Sequence, residues 1–151
     1  MFKQISISII LLFLFSCQTK NSQNIQGAWK PETYLLKDRS QPQVDGLIFF
    51  TETDWTVLFF VLDENDVPKK GSGEGGTYTL NKNELVFTHN YHLSGGNSVG
   101  TLPASPLKME IKNAAEAATE NCTIEFNQNN LTIYFPSGNS MTFKRESGFQ
   151  K

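Results

Sequence analysis

Cysteine is scarce in this chain: two residues in 151, Cys17 and Cys122. Cys17 ends an apolar leader, which leaves Cys122 alone in the body, so no internal disulfide can staple the fold. Charge of one sign is lacking too. Thirteen Lys plus Arg against fifteen Asp plus Glu give a net −2, and the scattered lysines offer no basic face for nucleic acid. There are only two histidines, His89 and His92. Alternation along a strand sends residues three apart to opposite faces, so the pair is not expected to share a metal ion. No apolar run reaches the roughly 20 residues that cross a bilayer as a helix. No nucleophile–base pair and no paired carboxylates can be placed together, so neither an enzyme nor a cofactor is expected.

The strongest signal present is N-terminal. Lys3 precedes an apolar run from Ile5 to Phe15, which has the length of a secretory leader core. Leu14-Phe15-Ser16-Cys17 follows directly, and the whole resembles a bacterial lipoprotein signal. The resemblance implies cleavage before Cys17 and acylation of its thiol and freed amine. Several acyl chains hold a protein at a membrane where one holds it only marginally. Residues 1–16 are thus expected as signal peptide, and 17–26 as lipidated N-terminus and flexible polar tether. Residues 27–151 are expected as one domain, large enough for a real core. Gln18 is not the acidic residue that retains some lipoproteins in the inner membrane. The implied location is therefore the cell envelope, at the outer membrane and facing the periplasm.

Beyond the tether the chain reads as strand after strand. Apolar or alternating segments rich in Phe, Ile, Val, Thr and Tyr are separated by Gly, Asn, Asp and Pro. They fall near residues 28–36, 46–52, 55–62, 76–81, 84–93, 107–112, 122–127, 131–135 and 140–145. Residues 81–83, 128–130 and 136–139 supply turns tolerant of positive φ. Asn113 can cap a single turn through Glu116. Short connections at this spacing predict an all-β fold, an up-and-down antiparallel β-barrel of about eight strands, with a two-sheet sandwich as rival. Alternation puts Trp29, Pro31, Thr33 and Leu35 on one face, and Leu85, Phe87, His89, Tyr91 and Leu93 on another. Cys122, Ile124 and Phe126 share a third. The stretch from Trp55 to Leu62 is apolar on both faces, so its outer side is expected to pack under the following loop.

Gly27-Ala28-Trp29-Lys30 opens the first strand, Gly75-Gly76-Thr77-Tyr78 lies mid-chain, and Phe143-Lys144-Arg145 closes the last strand. In order and spacing these resemble the bacterial lipocalin-like lipoproteins, a calycin-type barrel family, over roughly residues 25–146. The resemblance implies that Arg145 stacks over the Trp29 indole and closes one end of the barrel, a cation–π contact.

Three formal motif matches lack their structural setting. Gly71-Ser-Gly-Glu-Gly-Gly76 fits a dinucleotide fingerprint, yet a strand follows where a helix N-terminus must receive the pyrophosphate; a flexible loop is expected. Gly96-Asn-Ser-Val-Gly100 fits a nucleophile elbow, but the residues after it cannot start the required helix. Asp63-Glu-Asn-Asp66 with Glu74 fits the ends of a calcium loop, but Val67 and Pro68 occupy a ligand slot and the glycine slot.

The function expected is binding of a small apolar or amphipathic molecule in the barrel, lined by Leu47, Phe49, Val57, Phe59, Phe87, His89, Tyr91, Ile124 and Phe126. His89 and Tyr91 are expected to face inward, either to a ligand's polar group or to each other and the backbone. The alternative is a filled barrel acting through loops 63–76 and 94–106, and an enzyme built on a His89–Tyr91 pocket ranks third. A cavity of about 300 Å³ or more separates the two.

Overall fold

The computed structural model describes residues 24–127 and 129–148. The leader, Cys17 and the tether up to residue 23 lie outside the described residues. Ten strands run along the chain: β1 Gly27–Leu35, β2 Val44–Phe50, β3 Asp54–Leu62, β4 Pro68–Asn81, β5 Glu84–His89, β6 Tyr91–Gly96, β7 Ser105–Ile111, β8 Ala118–Asn127, β9 Asn130–Tyr134 and β10 Ser140–Arg145. All pairings are antiparallel. Eight strands close a ring in the order β1-β2-β3-β4-β5-β8-β9-β10, with β10 back on β1. The barrel is therefore the expected meander with one hairpin, β6–β7, inserted into it.

The insertion follows from the length of β4. Of its 14 residues, Pro68–Thr77 lie along β3 on one edge. The other edge takes β6 over Lys70–Gly75 and β5 over Tyr78–Asn81. Tyr78 faces Phe87 but Gly75 faces Tyr91, so three steps on β4 meet four on the other strand. The extra residue is accommodated around Asn90, and a one-residue insertion exchanges the two faces of everything beyond it. Leu85, Phe87 and His89 point into the barrel as expected. Tyr91 and Leu93 do not: they stand on the outer surface, 58% and 45% exposed, while His92 and Ser94 face in. The two histidines thus share the interior rather than facing opposite ways.

A second shift, between Pro31 and Thr33 where β1 meets β10, acts likewise. Trp29 and Pro31 are inward, but beyond the shift Tyr34 faces in, where strict alternation nominated Thr33 and Leu35.

The glycine-rich stretch before Tyr78 is strand rather than loop. Gly71, Gly73 and Gly75 alternate with Lys70, Ser72 and Glu74, a two-residue period that keeps one face bare of side chains. Gly76 is required by close approach, since a Cβ there would sit 1.9 Å from the Thr88 carbonyl oxygen. No helix follows these glycines, so no helix N-terminus is available for a pyrophosphate. The outer side of β3 is not covered by a loop either. Phe60 lies over Gly71, and Leu58 remains 53% exposed.

One end of the barrel is packed solid. Trp29, Leu85, Leu131 and Ile133 are fully buried there, with Phe87, Ile124 and Phe143 at 2% exposure. Burial of this apolar surface, at about 25 cal/mol per Å², is the main force holding the ring closed. Packing starts before Gly27: Ile25 is 3% exposed and its carbonyl accepts the Trp29 indole N–H at 2.7 Å. Over the indole lies the Arg145 guanidinium, 4.0 Å from the ring centre. Turn chemistry differs in one detail. Between β4 and β5 the positive φ falls on Lys82, at 55°, rather than on a flanking Asn.

Candidate ligand cavity

At the end away from Trp29 the packing gives way to a cavity of about 390 Å³. The parity of β3 aims Trp55, Val57, Phe59 and Val61 into it, Phe87 and Ile133 form its floor, and Tyr34 and Asn139 stand near its opening. The walls are apolar except along one side, where four strands, β4, β5, β6 and β8, bring a polar and charged cluster together.

His89 Nδ1 lies 2.8 Å from Glu74 Oε2, and His89 Nε2 lies 3.6 Å from Glu120 Oε2. The other Glu74 oxygen accepts the Ser72 hydroxyl at 2.8 Å and lies 3.5 Å from His92 Nδ1. His92 Nε2 is in turn 2.8 Å from the Ser94 hydroxyl. The Trp55 ring meets His89 edge to face, with centres 5.1 Å apart. A histidine flanked by two carboxylates favours its charged form. Glu120 and Glu74 together raise His89 to about 9, against the desolvation that would lower it. Burial pushes the Glu74 carboxyl up, but hydrogen bonds from His89 and Ser72 outweigh it and leave the group below its usual range. At neutral pH the cluster is thus an imidazolium held between two carboxylates. A base already protonated to about pH 9 is poorly suited to abstract protons at pH 7, whereas charged donors and acceptors on an apolar wall are well suited to orient a polar head.

Of the expected lining, Val57, Phe59, Phe87 and His89 meet at the cavity. Ile124 and Phe126 are inward but belong to the packed floor, Phe126 lying 6.1 Å from the Trp29 ring centre. Leu47 and Phe49 are on the wrong face of β2, because Ile48 and Phe50 are the buried pair. Four consecutive apolar residues, Leu47-Ile-Phe-Phe50, give alternation nothing to choose between. Tyr91 is outside for the reason given above. Glu74, Glu120, His92 and Tyr34 were not anticipated. Two were legible: Glu74 holds the polar phase of the alternating glycines, and Glu120 keeps the inward phase of Cys122, Ile124 and Phe126 once β8 is extended back to Ala118.

Asp63 uses its own carboxylate to accept the N–H groups of Asn65 and Val67, at 2.9 and 3.0 Å, and pairs with Lys69 at 3.0 Å. Gly96 ends β6, and Gly100 lies in the turn that a bridge between Val99 and Leu102 closes, with no helix after it. Among the described residues, no three or more His, Cys, Asp or Glu side chains are grouped as metal ligands.

Fold and site together define a class, an eight-stranded antiparallel barrel with a polar cluster on the wall of an apolar cavity. No family model matches this chain, and neither curated proteins nor solved structures yield a match.

Proposed function

We propose that this protein is a lipid-anchored, lipocalin-like binding protein that holds one small amphipathic molecule in its barrel. The observation that carries the reading is the cavity of about 390 Å³, apolar on most sides and charged on one. That volume falls in the range of about 300–1,000 Å³ typical of small-molecule sites, which combine an apolar lining with a few placed polar groups. The molecule's apolar part lies among Trp55, Val57 and Phe59, and its polar part meets Glu74, His89 and Glu120. The Trp29–Arg145 stack and the Gly75–Tyr78 strand support the family likeness. The leader supports an acylated Cys17, with the barrel in the cell envelope and the outer membrane as its anchor.

Titration with a fluorescent fatty amine or fatty acid tests the binding site. Val57→Trp, which fills the cavity, should weaken either probe at least tenfold while the thermal midpoint stays within a few degrees. Probe affinity indifferent to this substitution, or no binding of either probe, would defeat the reading. Labelled palmitate tests the anchor: incorporation should vanish in Cys17→Ser, and persistence would place the lipid on another residue.

A further inference from the structure

β7 ends the sheet. It is paired on one edge only, with β6, and nothing among the described residues pairs with its other edge. Long exposed edge strands invite pairing, and stable monomers usually blunt them with charge, proline or a bulge. β7 has Pro106 near its start and an irregular register with β6 between Ser94 and Gly96, but beyond these it puts Leu107, Met109 and Ile111 on the outer face, 68%, 71% and 83% exposed. They continue an apolar band. Leu58, Gly73, Leu93 and Met109 stand in one cross-strand row, and Thr56, Gly75, Tyr91 and Ile111 in the next. The glycines leave the band a shallow floor between the ridges of Leu58 and Leu93.

The free edge has a defined polarity. Lys112 N–H donates to the Asn90 carbonyl at 2.8 Å, so residues of its parity, Lys108 and Glu110, turn their backbone groups toward β6. Leu107, Met109 and Ile111 therefore present theirs outward. A second copy meeting this edge antiparallel must align outward-facing residues with outward-facing residues. Registers centred on Leu107, Lys108, Met109, Glu110 or Ile111 all meet that condition. Centring on Leu107 sets Lys108 against Pro106, and centring on Ile111 sets Glu110 against Lys112 but pairs only Met109–Ile111 of the strand. Centring on Lys108 sets lysine against lysine, and centring on Glu110 sets glutamate against glutamate. Only the register centred on Met109 places Lys108 opposite Glu110 of the second copy, twice, and Leu107 opposite Ile111 of the second copy, twice. Like charges directly opposite destabilise a ladder and unlike charges favour it, so charge pattern and the length of β7 that is paired together favour a second copy in the register centred on Met109.

We infer that two copies of this chain join antiparallel through β7, about a two-fold axis at Met109, making one continuous sheet whose outer apolar band runs across both barrels. A two-fold contact is self-complementary by construction, and the sequence Leu-Lys-Met-Glu-Ile has that property. Within one chain Lys108 and Glu110 already lie 3.1 Å apart on the inner face, so pairing adds two further unlike-charge contacts there without moving the backbone.

Sedimentation of the full-length protein in mild detergent, over a hundredfold range of concentration, reads the association. Dimers are expected, and Lys108→Glu and Glu110→Lys should each raise the dissociation constant at least tenfold, with circular dichroism unchanged. An equimolar mixture of the two variants should recover dimers, since each then faces its opposite charge at both positions. Met109→Cys should cross-link on mild oxidation, the paired Cα atoms standing about 5.5 Å apart in such a ladder. A monomer throughout, or charge variants that associate like the parent, would overturn the inference. So would a mixture that fails to recover dimers. If Leu107→Ser with Met109→Ser abolishes sedimentation with phosphatidylcholine vesicles while the mixture shows no recovery, the face belongs to lipid instead.

Discussion

The Arg145 guanidinium lies 4.0 Å above the centre of the Trp29 ring, a residue with no exposed surface, and its two terminal nitrogens donate to the carbonyls of Gln26 and Asn24. One side chain thus covers the floor of the barrel and holds the segment that leads into it. The two partners contribute unequally. Trp29→Ala opens a large hole in the packed end and should cost about 3–5 kcal/mol. Arg145→Ala gives up a partly exposed cation–π contact and two hydrogen bonds, about 1–2 kcal/mol. Equilibrium denaturation measures both, and equal losses would mean that the stack, rather than indole burial, closes the barrel.

The glycines of β4 should separate sharply. A methyl at Gly76 meets the Thr88 carbonyl oxygen at 1.9 Å, whereas one at Gly73 meets nothing nearer than 3.9 Å. Gly76→Ala is expected to lose about 1–3 kcal/mol through forced backbone movement, and Gly73→Ala to be close to neutral. Thermal melts of the two variants compare them directly, and similar midpoints would refute the close approach.

Stability should fall on the alkaline side because of His89. Its folded value of about 9 exceeds its ordinary 6.5. The stabilisation is therefore fully present below pH 6.5 and is lost as pH rises through about 9. Allowing for solvent screening of a partly exposed group, the change is about 1–3 kcal/mol. Glu74 acts at the other limb. Its depressed value gives stability that is present above its ordinary 4.5 and lost as acid protonates it. The unfolding free energy should peak between these limits, and His89→Gln should flatten the decline between pH 6.5 and 9. An unchanged profile in that variant would remove the imidazolium from the cluster.

Cys122 should be chemically silent in the folded protein. Burial, with the Glu120 charge adding to it, pushes its thiol up to about 12, and the residue is 4% exposed. Thiolate is the reactive form, so iodoacetamide should modify Cys122 only after denaturant is added. Rapid native labelling would show that the strand opens readily.

A second substitution at the same position tests the wall of the cavity. His89→Phe leaves Glu74 and Glu120 facing each other across an apolar ring. It should lower stability at pH 7 and weaken an amphipathic probe by about tenfold, roughly one hydrogen bond. Weaker folding with unaltered probe affinity would make the cluster structural only.

Much of this architecture was legible from composition and period. Strand-forming segments separated by Gly, Asn, Asp and Pro located nearly every strand, and their spacing favoured a closed antiparallel ring. The inward set on β8 followed from the alternation of Cys122, Ile124 and Phe126 with polar neighbours, and the same rule placed Phe87 and His89. Trp29 and Arg145 could be matched across more than a hundred residues only through the family resemblance, and the two do stack.

What the tertiary structure alone decided concerns parity. A strand's faces follow from period two only until an extra residue is inserted, and nothing in the letters His89-Asn90-Tyr91 marks the place where β4 runs short by one. That single offset sends Tyr91 out, brings His92 in beside Glu74, and frees β6 and β7 to leave the barrel wall. Likewise Leu47 to Phe50 are uniformly apolar, so only their neighbours β1 and β3 could choose which pair is buried. Local preference is set by each residue and its neighbours in sequence. Register is set by hydrogen bonds between strands far apart in the chain, and it is register that assembled the cavity.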